Sequence, residues 1–184
     1  MTNYLILINR DNPLKDSFVP ENLVKVNDTE FLEKETYNHY LLLKESAKEA
    51  GYEIDVDSGY RSYDHQKRLY EDWLEKYGED YTKAYCAPAG TSEHQSGLCF
   101  DVKLIRIDGN SENSKPTDPE IIWLHKNLYK YGFILRYPEG YEDITGYNYE
   151  HWHYRYIGVE HSTKMYNEDI KTFEEYYEKY LKDN

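Results

Sequence analysis

The chain has 184 residues, a formal net charge of −13 and 22 tyrosines, and 39% of its residues are hydrophobic. This length suits one domain that buries roughly two thirds of the surface its unfolded form exposes. No stretch is rich in basic residues, which excludes the attraction that supplies most nucleic-acid affinity and disfavours an anionic membrane surface. The two cysteines, Cys86 and Cys99, are too few for a disulfide scaffold and lack the C-x-x-C spacing of a thiolate zinc site, although a single bridge between them stays open.

The N-terminal segment lacks the features of an export signal. Its apolar stretch at residues 4–8 is shorter than the about 7–15 apolar residues of a secretory signal and ends in Asn9 and Arg10. No stretch reaches the roughly 20 apolar residues of a membrane span. We predict a β-strand at residues 4–8 and a cytoplasmic protein, with an upstream anchor left open.

Apolar spacing predicts helices mixed with strands along the rest of the chain. Leu69, Trp73 and Tyr77 have helical spacing and precede Gly78, a common residue after a helix end. Because the helices and strands do not alternate as in βαβ units, we expect an α+β fold with an antiparallel sheet. The predicted helices are 27–50, 64–78, 118–132 and 167–184. The segment 52–62 is predicted to begin as a strand and to end in turn residues that carry Tyr60 and Arg61 into a loop. Further predicted strands include 98–107, 133–137 and 150–158, and residues 79–93 are predicted to be a loop.

The stretch "TSEHQSGLCFD" (91–101) carries a histidine and an aspartate seven positions apart, separated by Gly97. Positions seven apart in one strand face opposite sides of a sheet, so His94 must belong to the loop before the strand that contains Asp101. A bend there would aim both side chains at one point. A surface histidine with an unrelated aspartate explains the pair as well, so a metal site requires a third partner.

A candidate third partner lies in "YEHWHYRY" (149–156). As a strand, this stretch places His153 on one face and Trp152 on the other. Glu150, three residues before His153, would supply the unligated carboxylate that a zinc hydrolase needs beside three protein ligands. The chain lacks H-E-x-x-H and is not an ordinary zincin. The alternative is a Tyr/Trp core strand with histidines on its surface.

Four segments follow one another along the chain: "GYRS" (59–62) with Gln66, "SEHQSGLCFDV" (92–102), "YGFILRYPEG" (131–140) and "ITGYNYEHWHYRYIG" (144–158). Together they resemble the VanY/VanX group of zinc D,D-carboxypeptidases and D,D-dipeptidases. The opening "LINRDNPLK" (7–15) is also similar to the start of the soluble bifunctional VanXY proteins. The resemblance implies a Hedgehog/D,D-peptidase-like α+β fold over a single domain, 1–184, with the catalytic motifs within 59–158 and a closing helix at 167–184.

The resemblance also implies the site. The family's ligand motifs fall on His94, Asp101 and His153, which would hold one Zn²⁺ per chain. Its catalytic base falls on Glu150, and its arginine, which would stabilise the developing negative charge, falls on Arg61.

Two further residues are implied to bind substrate, and two positions depart from the family. Ser92 would help hold the terminal carboxylate of the substrate, and Gln66 would line its pocket. His151 stands where proline is frequent, so it competes with His153 for the role of ligand. Cys99 stands where a small residue such as alanine is common, and we expect it to be a buried strand residue without a catalytic role.

The implied function is hydrolysis of the D-Ala-D-Ala bond in peptidoglycan precursors, in the free dipeptide, or in both. Such an enzyme would act on a small peptide ending in D-Ala and would support resistance to glycopeptides such as vancomycin. One alternative is an L,D-carboxypeptidase or another cell-wall peptidase on the same framework. Another is a non-catalytic zinc-stabilised binding domain, because a fold does not by itself imply turnover. The sequence leaves the choice of substrate and the oligomeric state open.

Overall fold

A computed structural model of the chain describes residues 2–105 and 111–182. Helices and antiparallel strands are mixed along it, which confirms the predicted α+β class. The helices are α1 (Lys34–Glu49), α2 (Tyr63–Tyr77), α3 (Glu79–Tyr85), α4 (Pro119–Asn127), α5 (Glu142–Thr145), α6 (Val159–Asn167) and α7 (Phe173–Tyr180). The strands are β1 (Leu23–Lys25), β2 (Phe31–Glu33), β3 (Ile54–Ser58), β4 (Cys99–Ile105), β5 (Ser111–Glu112), β6 (Phe133–Tyr137) and β7 (Glu150–Tyr156).

The main sheet is antiparallel and has the strand order β3-β4-β7-β6, with β5 paired to β4. The strands β4 and β7 are neighbours at its centre, and their register sets Asp101 opposite His153 and Cys99 opposite Arg155. The strands β1 and β2 form a separate antiparallel ribbon. The pairing of β4 with β7 therefore joins the two histidine-containing motifs.

The two faces of β4 have different surroundings because its side chains alternate. Phe100, Val102 and Leu104 point into the main hydrophobic core, where they pack with residues of α1 and α4 such as Leu43 and Leu124. Cys99 and Asp101 point to the opposite face, away from that core. The polar site is thus built on the face of the sheet that α1 and α4 do not cover.

The predicted strand at residues 4–8 is wrong. Leu7 and Ile8 are buried, as their apolar character requires, but the segment is irregular. The carbonyl oxygens of Tyr4 and Ile6 accept hydrogen bonds from Nη2 of Arg155, at 3.0 and 2.7 Å. A buried side chain therefore provides the backbone hydrogen bonds that a neighbouring strand would have provided.

Several predicted boundaries also differ from the structure. The first helix begins at Lys34 instead of residue 27, because β2 precedes it and the Glu33 carboxylate caps its N-terminus. Part of the predicted loop at 79–93 is helical, since α3 lies within it and a 3₁₀ turn begins at its last residue and runs over Glu93–Ser96. The predicted strand 98–107 is found at Cys99–Ile105, and residues 106 and 107 lie outside the described residues.

The closing helix predicted at 167–184 is shorter in the structure, where α7 spans Phe173–Tyr180. Helix α6 ends at Asn167, and α7 begins at Phe173 after a turn that includes Asp169 at a positive φ of 56°. Thr172 and Glu175 form a reciprocal cap that fixes the start of α7. Among the helices described, none is long and apolar enough to cross a membrane.

Candidate metal centre and active site

Two histidines and an aspartate meet beside the β4–β7 pair, where both histidines are buried. Nδ1 of His153 lies 2.9 Å from Oδ1 of Asp101, and Nε2 of His94 lies 3.4 Å from Oδ2 of the same carboxylate. The imidazole rings of His94 and His153 are almost perpendicular, with centroids 4.9 Å apart. The structure therefore brings together the three residues predicted to be metal ligands, here called the ligand cluster.

The orientation of His94 is fixed by the backbone. Its Nδ1 lies 2.7 Å from the carbonyl oxygen of Gly59, and a carbonyl only accepts, so Nδ1 carries the hydrogen. The lone pair of the neutral ring is then on Nε2, which faces Asp101. A Cβ at Gly59 would lie 2.3 Å from the carbonyl oxygen of Phe31, so only glycine fits at this close approach. The Gly-Tyr pair before Arg61 thus helps to orient a histidine as well.

The orientation of His153 is fixed by a buried carboxylate. Its Nε2 lies 3.4 Å from Oε2 of Glu93, whose side chain is fully buried. Its Nδ1 lies 2.9 Å from the carboxylate of Asp101, so carboxylates accept from both nitrogens of the ring. With a metal ion bound, the hydrogen on Nε2 would be donated to Glu93, which would free the lone pair of Nδ1 on the side of Asp101. The outer nitrogen of each imidazole is therefore occupied, and both inner nitrogens face one point.

Glu93 belongs to a second group of buried charges, here called the arginine cluster: Glu93, Arg136, Arg155 and Glu174. Nε of Arg136 and Nη1 of Arg155 each lie 2.7 Å from Oε1 of Glu93. The guanidinium of Arg136 also donates two hydrogen bonds to Glu174 of α7, at 2.8 and 2.6 Å. Burial alone would raise the pKa of Glu93, but the two guanidinium groups hold it well below its usual range. Glu93 is therefore ionised and rigidly held beneath His153.

The donors of the ligand cluster suit zinc. Zinc in proteins is held by imidazole nitrogen, carboxylate oxygen and thiolate sulfur, and a tetrahedral ion with bonds of about 2.0–2.3 Å separates its ligand atoms by roughly 3.3–3.8 Å. The separations from Asp101 to the two inner nitrogens are close to this range. Cys99 also offers its sulfur here, since the ligand atoms of His94, Cys99 and His153 all lie within 4.8 Å of one another. The side chains present can therefore hold a metal ion.

The electrostatics of the ligand cluster favour a positive charge at its centre. Burial lowers the pKa of His94, but Cys99 and Asp101 outweigh this effect and raise it to about 9. Burial would raise the pKa of Asp101, yet the nearby imidazoles hold it well below its usual range. A cluster that attracts protons in this way also attracts a divalent cation, because both neutralise the same carboxylate.

Glu150 lies at the edge of the ligand cluster. Its Oε2 is 3.9 Å from Nδ1 of His153, and its side chain is 9% exposed. Burial raises the pKa of Glu150 to about 8, against the opposing effect of His153. A carboxyl group with a pKa near neutrality is suited to accept and return a proton.

A cavity of about 430 Å³ opens beside the ligand cluster. Arg61, Gln66 and Ser92, all predicted from the sequence, are among the residues that line it. Nη1 of Arg61 donates to Oε1 of Gln66 at 2.8 Å, and Nη2 donates to Oγ of Ser58 at 2.6 Å. Gln66 is itself buried and donates to the carbonyl oxygen of Ala87 at 2.7 Å. Gln66 thus holds the arginine in position in addition to lining the cavity.

Comparison with known proteins agrees with this arrangement. A family model described as "VanY: D-alanyl-D-alanine carboxypeptidase" matches residues 29–159. The chain belongs to the VanY family.

A curated relative in this family is the bifunctional D-Ala-D-Ala dipeptidase and D-Ala-D-Ala carboxypeptidase VanXYC of Enterococcus gallinarum. It is 36% identical over 192 residues, which cover 96% of this chain and 94% of the relative. Curated relatives of this chain are thus named as peptidases.

Two solved structures are close in fold. One is a mutant of the vancomycin resistance D,D-pentapeptidase VanY from a VanB-type cassette, in complex with Zn(II), with a TM-score of 0.84, 32% identity and coverage of 95% of this chain and 99% of that one. The other is the LD-carboxypeptidase LdcB, with a TM-score of 0.85, 36% identity and coverage of 96% and 86%. The VanY-family fold is therefore shared by proteins named for D,D and for L,D activity.

His151, the second imidazole of this VanY-family strand, lies outside the ligand cluster. Its Nε2 is 2.8 Å from the carbonyl oxygen of Ser114, and its own carbonyl oxygen accepts hydrogen bonds from Nε2 of His125 and from the hydroxyl of Tyr154. The structure thus separates the two histidines that the sequence left in competition, and only His153 faces Asp101.

Two residues of the site escaped the sequence analysis. Glu93 was not selected, although it lies between two predicted site residues, Ser92 and His94. A signal was available: the segments around β6 and β7 each carry an arginine among apolar residues, and a buried arginine requires a buried carboxylate. Cys99 was expected to be only a small buried residue; it is buried, but its sulfur also lies beside both imidazoles.

Proposed function

We propose that the chain is a zinc-dependent D,D-peptidase that removes the terminal D-Ala from peptidoglycan precursors, from D-Ala-D-Ala, or from both. The observation that carries the proposal is the orientation of the two imidazoles, whose outer nitrogens are held by Gly59 and Glu93 while their inner nitrogens face Asp101. Membership of the VanY family supports the class of reaction.

His94, Asp101 and His153 are the proposed ligands. Zinc, when bound, supplies a Lewis acid and lowers the pKa of water at its open position. Glu150 lies close enough to the ligand cluster to take the proton from the attacking water. The same carboxyl group then gives a proton to the leaving amine. Burial raises the pKa of Glu150 to about 8, and a cation bound beside it would lower this pKa, which brings the carboxyl group towards the range where it can both accept and return a proton.

Arg61 is proposed to stabilise the negative charge that develops on the carbonyl oxygen. Guanidinium stays protonated and presents several donors in a rigid plane. Gln66 and Ser58 hold it before substrate arrives, and such preorganised donors typically contribute about 3–4 kcal/mol to transition-state binding. Ser92, buried at the cavity wall, is proposed to help bind the terminal carboxylate of the substrate.

The test is release of free D-Ala by the zinc-loaded protein from D-Ala-D-Ala and, separately, from a UDP-MurNAc-pentapeptide. We expect release from at least one substrate and a loss of roughly 10²–10⁴-fold in the Glu150→Gln variant, the contribution typical of general acid–base catalysis. The variant should still bind zinc. The ratio between substrates then separates dipeptidase from carboxypeptidase activity.

A second candidate is L,D-carboxypeptidase activity, which the similarity to LdcB favours. A UDP-MurNAc-tetrapeptide, whose last bond joins an L-residue to D-Ala, is the discriminating substrate. Release from the tetrapeptide alone would replace the D,D proposal by this one. Zinc binding without release from any of the three substrates would favour a binding domain without turnover.

A further inference from the structure

Four aromatic side chains follow one another along the wall of the active-site cavity and beyond it. They recur at every fourth residue from the end of α2 through α3, and consecutive rings have centroids 5.0–5.3 Å apart. This group, here called the aromatic ladder, consists of Trp73, Tyr77, Tyr81 and Tyr85. Trp73, Tyr81 and Tyr85 line the cavity together with Arg61, whereas Tyr77 is not among the lining residues. The ladder therefore leads from the candidate active site onto the surface.

One end of the aromatic ladder is tied to the active site. Gln66, which accepts a hydrogen bond from Arg61, donates to the carbonyl oxygen of Ala87 at 2.7 Å, two residues after Tyr85. Trp73 lies seven residues beyond Gln66 along α2, which is a rise of roughly 10 Å. The ladder thus begins at Tyr85, close to the support of Arg61, and its outer rings lie about this far away along the helix.

The rings of the aromatic ladder do not cover one another. Their planes are inclined by 31–69°, so none lies flat on its neighbour. Tyr129 and Tyr166 provide a contrast elsewhere in the chain, because their rings are stacked at 3.7 Å with an angle of 8° between the planes. Tyr81 is 49% exposed although it lines the cavity. A half-exposed ring on a cavity wall offers an apolar face and a polar hydroxyl to a ligand.

The lengths of the candidate substrates decide which of them can reach the outer rings. D-Ala-D-Ala spans at most about 7 Å when extended, so the free dipeptide held at Arg61 and the ligand cluster is too short. In a pentapeptide precursor, four residues precede the cleaved bond, and they span up to roughly 14 Å before the muramyl sugar begins. The sugar of the precursor is therefore within reach of Tyr81 and the rings beyond it.

The chemistry of a sugar matches that of these rings. A pyranose ring has a face of C–H groups and an edge of hydroxyl groups, which suits a tyrosine with an apolar ring and a hydroxyl in water. We propose that the aromatic ladder is a subsite for the muramyl sugar of a stem-peptide precursor, with Tyr81 as its central ring. The inference rests on the proposed D,D-peptidase function and deepens it, because it makes the sugar-linked precursor a better substrate than the free dipeptide.

Kinetics on three substrates test the proposal: MurNAc-pentapeptide, the same pentapeptide without the sugar, and D-Ala-D-Ala. Tyr81→Ala should raise KM for MurNAc-pentapeptide by about fivefold with kcat unchanged, the loss typical of one aromatic contact that is equal in the ground and transition states. KM for the other two substrates should not change. Tyr81→Phe keeps the ring and should behave as the wild type.

Tyr166→Ala is the matched control. It removes a tyrosine that is 55% exposed and does not line the active-site cavity, so it should leave KM for all three substrates unchanged. An equal rise in KM for the pentapeptide with and without the sugar would show that Tyr81 contacts the stem peptide, and would overturn the proposal. An unchanged KM for every substrate in Tyr81→Ala would overturn it as well. Both results leave the D,D-peptidase function intact, because the substrates are still cleaved.

Binding measurements separate this proposal from the proposed function. If the protein cleaves none of the three substrates, the D,D-peptidase function fails, and calorimetry with the zinc-loaded protein still tests the subsite. Tyr81→Ala should then weaken binding of MurNAc-pentapeptide by about fivefold and leave binding of the sugar-free pentapeptide unchanged. Equal binding of MurNAc-pentapeptide by the wild type and Tyr81→Ala would remove the subsite too.

Discussion

The arginine cluster and the ligand cluster lie one above the other and are both built from buried ionisable side chains, yet they differ in how their charges are paired. In the arginine cluster, two guanidinium groups meet two carboxylates at 2.6–2.8 Å. In the ligand cluster, Asp101 faces two imidazoles, which must be neutral to bind a metal. In the arginine cluster the charges of the side chains cancel one another, whereas in the ligand cluster the negative charge of Asp101 is neutralised when a cation binds. The buried charges of the arginine cluster therefore stabilise the fold, whereas those of the ligand cluster form the candidate metal centre.

Two single substitutions in β7 test which of its histidines binds the metal ion, and they should give the largest difference. His153→Ala should lose the metal entirely, because it removes an inner nitrogen of the ligand cluster. His151→Ala should keep a full complement, since its ring contacts Ser114 instead. Metal analysis after gel filtration gives the stoichiometry. A metal-replete His153→Ala together with a metal-free His151→Ala would show that the ligand has been misassigned.

Glu93→Gln should be the most destabilising change to the fold. It leaves Arg136 and Arg155 buried with too little negative charge, and breaking a buried ion pair typically costs about 3–5 kcal/mol. Urea unfolding of the metal-free protein measures the change.

Asp101→Asn is the matched control in the other layer. It should weaken zinc binding by more than about 100-fold, beyond the loss typical of a residue that only supports a ligand. The metal-free protein should lose only about 1.5–3 kcal/mol, the contribution of one hydrogen bond to a charged group. If Asp101→Asn destabilises the metal-free protein as much as Glu93→Gln does, the two layers do not differ in the way described.

Acid should weaken the arginine cluster in a defined pH window. The pKa of Glu93 is held below its ordinary value of 4.5, so its stabilisation is fully present above about pH 4.5 and is lost as the pH falls towards its folded pKa. We therefore expect the difference in unfolding free energy between wild type and Glu93→Gln to be constant near neutral pH and to shrink below about pH 4.5. A difference that stays constant down to about pH 3 would contradict the assignment.

The smallest effect is expected at Gln66. Gln66→Ala removes one support of Arg61 but leaves Ser58 in place, so kcat should fall by about tenfold, less than the 10²–10³-fold typical of losing a stabilising donor itself. Arg61→Ala provides that larger reference. A Gln66→Ala effect confined to KM would instead indicate that Gln66 acts on substrate binding.

Local sequence patterns correctly predicted those helices and strands whose position is determined by neighbouring residues in the chain. Residues 133–137 form the strand predicted for them, and α2 lies within one residue of its predicted bounds, because periodicity and end signals decide such elements. The segment 4–8 was misread because its apolar residues indicate burial but not the partner of its backbone, which is the side chain of Arg155. Helix α6 was missed for a related reason, since its packing against the turn before β6 is not visible locally.

The site shows the same division. His94, Asp101, Glu150 and His153 were selected because their motifs and spacing are readable, although their roles remain predictions. Their meeting depends on the pairing of β4 with β7, a register that joins residues 52 positions apart. The arginine cluster was not predicted because it joins four distant segments, and no local pattern shows which of their charged residues pair. A sequence reveals the reacting groups more readily than the groups that orient them.

The connection from Glu174 through Arg136 and Glu93 to His153 has a consequence for how the site can be moved or divided. The segment 59–158 holds every motif residue, yet it ends before the carboxylate that occupies the outer side of Arg136. Grafting that segment onto another scaffold would carry over the ligands without Glu174, the carboxylate that holds Arg136 and, through Arg136, Glu93 beside His153. The transferable unit is the motif segment together with α7.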